Sequence, residues 1–564
     1  MLQRFKKTEA AASGSAMETE NHLKNRAILA KNLMSRINFL FALLAMLFLP
    51  NINGLAQFSG GNGESGTPYL ISSEEDMQSL ATQVNNGTSF AGKYFLLTKD
   101  LTQSNKVTTV IGTASEKPFN GIFDGGEHEI EMSLNTSGTG GVFGHISNAN
   151  IRNLTVGGSI KTTSDVGGIC GYAKNSSISN CCNTGTIIST NSDRVGAGGI
   201  CGWSDKSNIS GCHNTGSITG SRHSGGICGY STGNFSNCYN IGNVSTSLTT
   251  PFPETYPDIV RRSSGGICGF STGNFSSCYN TGNISTSIIT SPRFSIPEDS
   301  SGGICGYWLW GEPGSSLSNC YNTGSVSAFS DYGDISSGGI CGRSMGGFII
   351  SNCYNTGSIS VDSFSPARSG GICGTGSIID NCFAANTKIT TGDLKLAGRI
   401  VGDSSNSIDV FTITNCYALS SMLINDVPVY TQNTANEKNG QDMDIASFQS
   451  QTWITNNLGW DFTTVWKQRP NEFPILFHQD VVNGIGNVCA NQLQIFPNPV
   501  KDELKVESGE LKVEKVEIFD ISGKSLLTVN FQFSTIDVSV LPKGVYLLKI
   551  FTDKRLVISK IVKE

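Results

Sequence analysis

Cysteine is the residue type whose number and spacing could do chemistry in this sequence. The chain has 17 cysteines in 564 residues, and most of them recur in pairs. The first members each follow Gly-Gly-Ile and are Cys170, Cys201, Cys228, Cys268, Cys305, Cys341 and Cys373. The second members are Cys181, Cys212, Cys238, Cys278, Cys320, Cys353 and Cys382, while Cys182, Cys416 and Cys489 lie outside the pairs. Such thiols could bind a metal, form disulfides, carry out redox chemistry or pack in a core.

A metal site or a catalytic thiol agrees poorly with this spacing. The two cysteines of a pair are 9 to 15 residues apart, and no Cys-x-x-Cys occurs. The chain has only 6 histidines to complete a ligand set, and structural zinc sites need closely spaced ligands. A catalytic thiol is expected once, not in every pair. The sequence therefore predicts no metal and no other cofactor.

The less regular copies at both ends of the series favour packing as the role of the thiols. The position of the first cysteine is Phe143 before the series and Val401 after it, and the position of the second is Leu154 before it. A position that accepts Phe, Val, Leu or Cys is apolar, and a free buried cysteine behaves as a small hydrophobe. Disulfides remain an alternative, because exported proteins meet conditions that permit them.

The pairs belong to a repeat whose length varies from 27 to 40 residues. Residues 224–245, SGGICGYSTGNFSNCYNIGNVS, recur almost unchanged at 264–285, and degenerate copies starting at Gly140 and Ala397 bring the series to nine. Each copy holds short β-prone runs without a 3.6-residue period. One turn of such strands buries its apolar side only by stacking on the next. Residues 140–420 are therefore predicted to form a right-handed parallel β-helix, about 40 Å long.

Three positions inside the repeat carry local predictions. Ile178 and Cys181 are three residues apart, so both can face the core only if the chain bends, and Asn180 is the expected bend. An asparagine recurs two residues before a glycine, which predicts a ladder of stacked amides and glycines with positive φ. The asparagines are Asn183, Asn214, Asn240, Asn280, Asn322 and Asn355, and the glycines are Gly185, Gly216, Gly242, Gly282, Gly324 and Gly357.

A tyrosine column is the third position. A stacked structural ladder and a sugar-binding platform are its two interpretations. The tyrosines are Tyr239, Tyr279, Tyr321, Tyr354 and Tyr417.

Composition and the N-terminus bound the function. A net charge of -6, with no basic run beside aromatic residues, gives no argument for nucleic acid. In residues 1–56, basic residues precede the apolar run 39–49, which is shorter than the roughly 20 residues of a membrane span. Met34 is the expected start of a compact signal peptide, and Ala56 its cleavage point. The protein is therefore expected outside the cell or on the outer-membrane surface.

The repeats differ in length mainly at one point, where insertions such as TTPFPETYPDIVRRSS and ITSPRFSIPEDSS occur. Insertions at one point project from one face of a solenoid, which is often its binding face. Aromatic and arginine side chains there suit sugars or protein partners, and plain loop decoration is the alternative. The candidate ligand-binding residues are Phe252, Tyr256, Arg261, Arg262, Phe294, Phe329, Tyr332 and Phe364, with Trp308 and Trp310 in a separate link.

The repeat GGICGYSTGNFSNCYNIGNVS resembles the GLUG motif of bacterial surface proteins. Residues 57–139 resemble the N-terminal region that precedes such repeats, and GWDFTTVWKQRPNEFPIL within residues 421–488 resembles their closing segment. In residues 57–139, a capping-box pattern at Ser72 and Glu75 predicts a helix at 73–84 that could cap the open end of the rod. The motif also occurs in metallopeptidases that cleave immunoglobulin A. Their activity is not carried over, because GEHEIEM lacks the second zinc-binding histidine.

Residues 489–564 differ in composition and predict a small Ig-like β-sandwich. Alternating runs such as VEIFDI and VYLLKIF are joined by the turns SGK and PKG. This segment resembles the C-terminal sorting domain of the type IX secretion system of Bacteroidetes. The resemblance implies recognition by the secretion machinery, followed by release or by attachment to surface lipopolysaccharide. The matching residues are Pro497, Asn498, Pro499, Gly523, Lys524, Gly544, Tyr546, Lys560 and Lys563.

These features favour a secreted or cell-surface adhesin whose ligand is a glycan or a host or matrix protein. Two alternatives stay open: a lyase or glycosidase that acts on polysaccharide, and a structural spacer. The sequence contains no Gly-x-Ser-x-Gly elbow and no phosphate-binding loop. Its scattered acidic residues do not identify a catalytic pair.

Overall fold

The computed structural model divides the chain into two units, residues 1–57 and 58–564. In the first unit Lys31, a helical residue, is described. In the second the described residues are 58–102, 107–190, 195–248, 261–288, 298–309, 314–331, 333–363, 366–403, 412–429, 433–482, 494–496, 500–507, 513–520, 524–530, 535–552 and 556–563. The predicted start at Met34 and cleavage point at Ala56 lie outside these residues.

A parallel β-helix forms the body of the second unit. The short strands of one turn pair in parallel with the same strands of the next, which produces four long sheets. Each turn exposes its apolar side until the next turn covers it, so the stack is the folding unit. The β-helix predicted from the repeats is confirmed.

Sheets 1 and 2 carry the second half of each repeat. The strands of sheet 1 are Tyr69–Ile71, Tyr94–Leu97, Ile122–Asp124, Asn150–Arg152, Ser177–Ser179, Asn208–Ser210, Phe235–Ser236, Phe275–Ser276, Ser316–Ser318, Ile349–Ser351, Ile378–Asp380 and Thr412–Thr414. Most turns give sheet 2 two strands. These are Glu129–Thr136, Thr155–Thr162, Cys182–Asn183, Thr186–Ser189, His213–Asn214, Ile218–Gly220, Tyr239–Asn240, Val244–Leu248, Tyr279–Asn280, Ile284–Ile288, Tyr321–Asn322, Val326–Ser330, Tyr354–Asn355, Ile359–Ser363, Phe383–Ala384, Lys388–Thr390, Tyr417–Leu419, Leu423–Ile424, Val427–Pro428 and Gln441–Met443.

Sheets 3 and 4 carry the Gly-Gly-Ile-Cys half of the repeat. The strands of sheet 3 are Phe143–Ser147, Cys170–Lys174, Cys201–Asp205, Cys228–Ser231, Cys268–Ser271, Cys305–Trp308, Cys341–Ser344, Cys373–Thr375 and Val401–Asp403. The strands of sheet 4 are Gly196–Gly198, His223–Gly225, Arg261–Gly265, Glu298–Gly302, Asp334–Gly338, Ala367–Gly370 and Ala397–Gly398. The nine strands of sheet 3 match the nine predicted copies.

The stack begins before the first copy of the repeat. Sheet 1 is 12-stranded because Tyr69–Ile71, Tyr94–Leu97 and Ile122–Asp124 pair in parallel ahead of it. The region predicted as an N-terminal cap therefore contributes turns of its own.

Helix α1 (Glu74–Asn85) packs its apolar face into the core of the rod. Its N-cap is Ser73, whose Oγ accepts the Asp76 N–H at 3.2 Å. The capping box expected at Ser72 and Glu75 is displaced by one residue, because Asp76 turns back to accept the Ser72 N–H at 2.8 Å. The predicted helix is thus present, with a corrected cap.

The segment after the last repeat is short helices and a small hairpin. Its helices are α2 (Ile445–Phe448) and α3 (Gln451–Leu458), its hairpin pairs Trp466–Lys467 with Ile475–Leu476, and 3-10 turns occur at Leu394–Leu396 and Phe477–Val482.

Both cysteine columns face the core. Cys170 lies beside Cys201 on the next turn, and this register continues to Cys373. Phe143 precedes the column and Val401 follows it, as the sequence indicated. All described members of both columns are buried thiols.

The sulfur atoms are close together and shielded from solvent. The Sγ atoms of Cys170 and Cys201 are 3.4 Å apart. Burial raises the pKa of the Cys238 and Cys373 thiols well above the usual range. A buried cysteine without access to solvent behaves as a small hydrophobe, so packing is the role that these contacts support.

The bend predicted at Asn180 is confirmed. Asn180 has a φ of 52°, in the left-handed region that asparagine tolerates. Ile178 and Cys181 on either side of it are both 0% exposed. The same conformation recurs along the rod at Asn153, Gly211, Asn237, Ser277, Asn319, Asn352, Asn381 and Asn415.

The predicted amide ladder is also present. Each Nδ2 from Asn183 to Asn322 donates to the Oδ1 of the next asparagine at 2.6 to 2.8 Å, ending at Asn355. The positive φ predicted for the following glycines is wrong. These glycines are required by close approach, since a Cβ on Gly216 would lie 1.8 Å from the Gly185 carbonyl oxygen.

The C-terminal residues form the predicted β-sandwich. One antiparallel sheet contains Gln494–Phe496, Glu503–Glu507 and Thr535–Asp537. The other contains Val513–Asp520, Ser525–Asn530, Gly544–Thr552 and Leu556–Lys563. Alternate residues of these strands, such as Val516 and Ile518, enter a core separate from that of the rod.

Candidate functional site

The tyrosine column in sheet 2 is a stacked, buried ladder. We call His213, Tyr239, Tyr279, Tyr321, Tyr354, Phe383 and Tyr417 the tyrosine ladder. From His213 to Phe383 its ring centroids are 4.7 to 5.1 Å apart, with planes within 8° of parallel. Each of the five tyrosines is at most 8% exposed. A ligand in solvent does not reach these rings.

The chain itself covers the tyrosine ladder. We call residues 444–479 the closing segment. Tyr354 Oη donates to the Pro474 carbonyl at 2.7 Å, and Gln479 Nε2 donates to Tyr321 Oη. The Trp466 ring lies 6.0 Å from that of Tyr354. The ladder therefore has the structural role, and the sugar-platform interpretation does not apply to it.

A second aromatic column lies on sheet 3, two residues after each of the first five cysteines of the first column. We call Tyr172, Trp203, Tyr230, Phe270 and Tyr307 the aromatic stripe; neighbouring members are in register on adjacent turns. Their ring centroids are separated in turn by 6.3, 4.1, 4.8 and 5.3 Å. Stacking of this kind stabilises the column and fixes the orientation of its rings.

The aromatic stripe has an open end and a covered end. Tyr172, Trp203 and Tyr230 are half-buried. Phe270 is 6% exposed and Tyr307 is 0% exposed. Three consecutive aromatic side chains at the open end therefore present part of their surface to solvent.

Two aspartates accompany the open end. Tyr172 Oη lies 3.5 Å from Asp205 Oδ2, and Thr232 Oγ1 donates to Asp205 Oδ1 at 3.3 Å. Asp165 accepts the Gly196 N–H at 2.8 Å, and burial raises the pKa of Asp165 to about 7. Carboxylate oxygens beside aromatic rings can accept hydrogen bonds from a hydroxylated ligand.

The covered end carries a cluster of charges that compensate one another in part. Arg261 Nε lies 3.1 Å and Arg343 Nη2 3.4 Å from the two oxygens of Glu298. Both guanidinium groups stand over the Tyr307 ring, at 5.6 and 5.8 Å from its centroid. This end is therefore closed by a group of two arginines and one glutamate that keeps one net positive charge.

The predicted insertion point coincides with the covered end. Residues 249–260 and 289–297 directly precede the strands Arg261–Gly265 and Glu298–Gly302. Because Arg261 and Glu298 both contact Tyr307, the insertions rejoin the rod beside the aromatic stripe.

Two of the predicted ligand-binding residues are not exposed. Arg262 is 1% exposed and lies 3.5 Å from Asp299, since the second residue of its strand points inward. Trp308 is also 1% exposed, because it ends a core strand and its Nε1 donates to the Gly273 carbonyl at 3.1 Å. The exposure expected of both side chains is wrong.

The other predicted residues have different positions. Arg261 is half-buried at the covered end, and Phe329 is half-buried in sheet 2 beside Ser287 and Asp362. The rest lie outside the described residues: Phe252, Tyr256, Phe294, Trp310, Tyr332 and Phe364.

Sequence reasoning missed the aromatic stripe although its signal is legible. The motif Gly-Gly-Ile-Cys-Gly is followed by Tyr, Trp, Tyr, Phe and Tyr in five consecutive copies. This position lies two residues after the cysteine of that motif and differs from the tyrosine ladder in accepting tryptophan.

In the parts of the chain that the structure describes, no cluster of three or more His, Cys, Asp or Glu side chains could hold a metal ion. None of the helices within the same residues has the length and apolarity needed to cross a membrane.

Comparison with known families identifies two segments of the chain. Residues 333–360 match the GLUG motif, and residues 494–564 match the secretion system C-terminal sorting domain. The chain carries a type IX sorting domain. It is therefore a β-helical protein sorted by the type IX secretion machinery to the cell surface or the extracellular space. No curated protein matches the chain.

Two solved structures resemble the chain loosely. One is a candidate immunoglobulin A1 protease from Bacteroides ovatus, with a TM-score of 0.35 and 19% identity over 75% of this chain and 95% of that one. The other is described as IgA1 Protease, with a TM-score of 0.33 and 12% identity over 87% of this chain and 34% of that one. Likeness at this level transfers no activity.

The sorting domain orders several of its predicted signal residues. Tyr546 Oη donates to the Pro542 carbonyl at 2.6 Å, and the Lys524 N–H donates to Asp520 at 3.0 Å. Gly544 pairs with Lys563 across the last two strands, and Lys560 lies in the final strand. The remaining signal residues, Pro497, Asn498, Pro499 and Gly523, lie outside the described residues.

Proposed function

We propose that this protein is a secreted adhesin that binds its ligand at the open end of the aromatic stripe, and that the insertions preceding Arg261 and Glu298, at the covered end, contribute to the same surface. The observation that carries the proposal is the partial exposure of Tyr172, Trp203 and Tyr230. The other aromatic column of the rod is buried under the closing segment. Partly exposed aromatic side chains beside polar groups are typical of binding surfaces.

The sorting domain supports this role, since it directs the rod to a location where external ligands are encountered. The insertions support it as well. They carry Phe252 and Tyr256 and rejoin the rod next to the stripe. The proposal keeps the predicted binding face and moves its centre from the insertions to sheet 3.

Binding of the labelled full chain to immobilised fibronectin, laminin and collagen and to a glycan array tests the proposal. We expect Trp203→Ala to weaken binding most, and the double variant Phe252→Ser/Tyr256→Ser to weaken it to a smaller extent. The matched control is Ile241→Ala, because Ile241 is an exposed apolar side chain, 43% accessible, in sheet 2's connecting turn. Unchanged binding in the first two variants would show that the ligand binds elsewhere.

A further inference from the structure

We infer that the ligand of the aromatic stripe is a neutral carbohydrate chain that lies along the rod over Tyr172, Trp203 and Tyr230. This inference rests on the proposed function and specifies its ligand class. The juxtaposition that carries it is a single row of partly exposed rings with hydrogen-bonding groups at its side.

The rings supply the apolar part of the contact. The Trp203 and Tyr230 centroids are 4.1 Å apart, and the indole of Trp203 is wider than the phenol rings on either side of it. Its spacing to Tyr172 is larger, 6.3 Å. Rings that are already locked by stacking lose little side-chain entropy on binding. Because their faces cover one another, their edges form the apolar strip that contacts the C–H groups of a sugar.

The polar groups supply the directional part. Asp205 accepts from Thr232 at 3.3 Å and has Tyr172 Oη at 3.5 Å. A carboxylate has about four lone-pair positions, so Asp205 retains acceptor capacity for sugar hydroxyls. Lys174 is exposed at the end of the strand that contains Tyr172, and Lys206 is exposed just after the strand that contains Trp203. Both add hydrogen-bond donors for sugar oxygens.

Charge compensation favours a neutral chain over a polyanion. At the covered end, two arginines share Glu298 and leave one positive charge, beside the rings that are buried and outside the three open rings. At the open end, Asp205 is the cross-strand neighbour of Lys174, and the exposed Lys206 directly follows Asp205 along the chain. With a carboxylate interleaved between the lysines, the open end lacks the concentrated positive field that attracts acidic polymers.

The shape of the surface favours a chain over a folded protein. Stable protein interfaces bury about 800 Å² on each partner around a broad apolar centre. The stripe is one side chain wide, and its three open rings span two turn spacings, about 10 Å. A linear oligosaccharide parallel to the rod axis contacts all three rings, whereas a single sugar does not.

Isothermal titration calorimetry of the full chain with named probes tests this inference. The neutral probes are cellohexaose, laminarihexaose, xylohexaose and mannohexaose, and the acidic ones are heparin and polygalacturonate. We expect at least one neutral probe to bind, and Trp203→Ala to raise its Kd by about tenfold or more. Trp203→Phe should recover part of the affinity, while Ile241→Ala should leave it unchanged. Circular dichroism of each variant confirms that it is folded.

The outcomes separate the two proposals. Trp203-dependent binding to a matrix protein, with no neutral probe bound, overturns the carbohydrate assignment and leaves the adhesin proposal standing. Binding of a neutral probe that Trp203→Ala does not weaken overturns the stripe as the site. Trp203-dependent release of reducing ends overturns the adhesin proposal and supports the carbohydrate assignment. Binding of acidic probes alone overturns the neutral assignment.

Discussion

Two aromatic columns run along the same rod, one in sheet 2 and one in sheet 3. Both stack a ring on each turn, at 4.7 to 5.1 Å in the tyrosine ladder from His213 to Phe383 and at 4.1 to 6.3 Å in the aromatic stripe. The closing segment covers the ladder and bonds to its hydroxyl groups. The open end of the stripe keeps part of its surface in solvent. Repetition thus produces both a structural column and a candidate binding column. They differ because the closing segment covers the first and leaves the open end of the second partly in solvent.

The largest expected difference between the columns is in stability. Tyr354 is 1% exposed, stacked between Tyr321 and Phe383 and covered by Trp466. Truncation of a buried aromatic residue leaves a cavity, so Tyr354→Ala should lower the free energy of unfolding by about 3–5 kcal/mol. Denaturant unfolding followed by circular dichroism measures this loss.

Trp203→Ala is the matched variant in the aromatic stripe. Because Trp203 is half-buried, its truncation should cost about 1 kcal/mol, which is close to the average for a point substitution. Equal losses from the two variants would show that the stripe is as structural as the ladder.

The second largest expected effect is a loss of stability at low pH, through a histidine that lies against the tyrosine ladder. The His478 ring lies 6.2 Å from that of Tyr279, and burial lowers the pKa of His478 to about 4. The unfolded chain, with a histidine pKa of about 6.5, therefore binds a proton that the folded state excludes. Stability should fall as the pH drops below about 6.5, by about 2 kcal/mol at pH 5.

His478→Gln isolates this effect. The variant should lose the part of the pH dependence between pH 7 and pH 5 that His478 contributes, as measured by denaturant unfolding at each pH. An identical pH profile in the variant and the parent would contradict the assignment.

Asp165, beside the stripe, should act with the opposite sign: its pKa is raised to about 7, so its contribution to the free energy of unfolding is lost as the pH rises through 7.

The sequence allowed the scaffold to be predicted because repetition shows which positions are equivalent. The substitution of Phe143 and Val401 for cysteine revealed a packing site, and the spacing of Ile178 and Cys181 required a bend at Asn180. Both inferences used only the geometry of a strand and the apolar character of a column. They hold whatever the rest of the chain does.

The accessibility of individual side chains could not be predicted in the same way. Trp308 looked like an exposed residue of an irregular link, yet it ends a core strand and stacks on Phe348 at 4.2 Å. The tyrosine ladder is covered by residues more than a hundred positions further along the chain, as the Tyr354–Pro474 bond shows. Long-range covering of this kind leaves no local periodic signal.

Removal of a single tyrosine hydroxyl group should lower the stability more in the tyrosine ladder than in the aromatic stripe. Tyr354 Oη is buried and donates to the Pro474 carbonyl at 2.7 Å. Tyr354→Phe leaves the ring in place and deprives that carbonyl of its donor, so it should cost about 1 kcal/mol. Hydrogen exchange of residues 460–476 should also accelerate, because this bond holds the closing segment against the ladder. Unchanged exchange there would mean that ring packing alone holds the segment.

The smallest expected effect belongs to the same substitution in the stripe. Tyr172 Oη is 3.5 Å from Asp205, a long contact on a half-buried residue. Water replaces the lost partner of a carboxylate that is not fully buried, so Tyr172→Phe should change the free energy of unfolding by less than about 0.5 kcal/mol. If the stripe binds a hydroxylated ligand, the same variant should still weaken that binding, because the substitution removes a donor and acceptor from the open end. A stability loss as large as that of Tyr354→Phe would show that Tyr172 is structural in the same way as the ladder tyrosines. The two columns would then not differ in role at this turn.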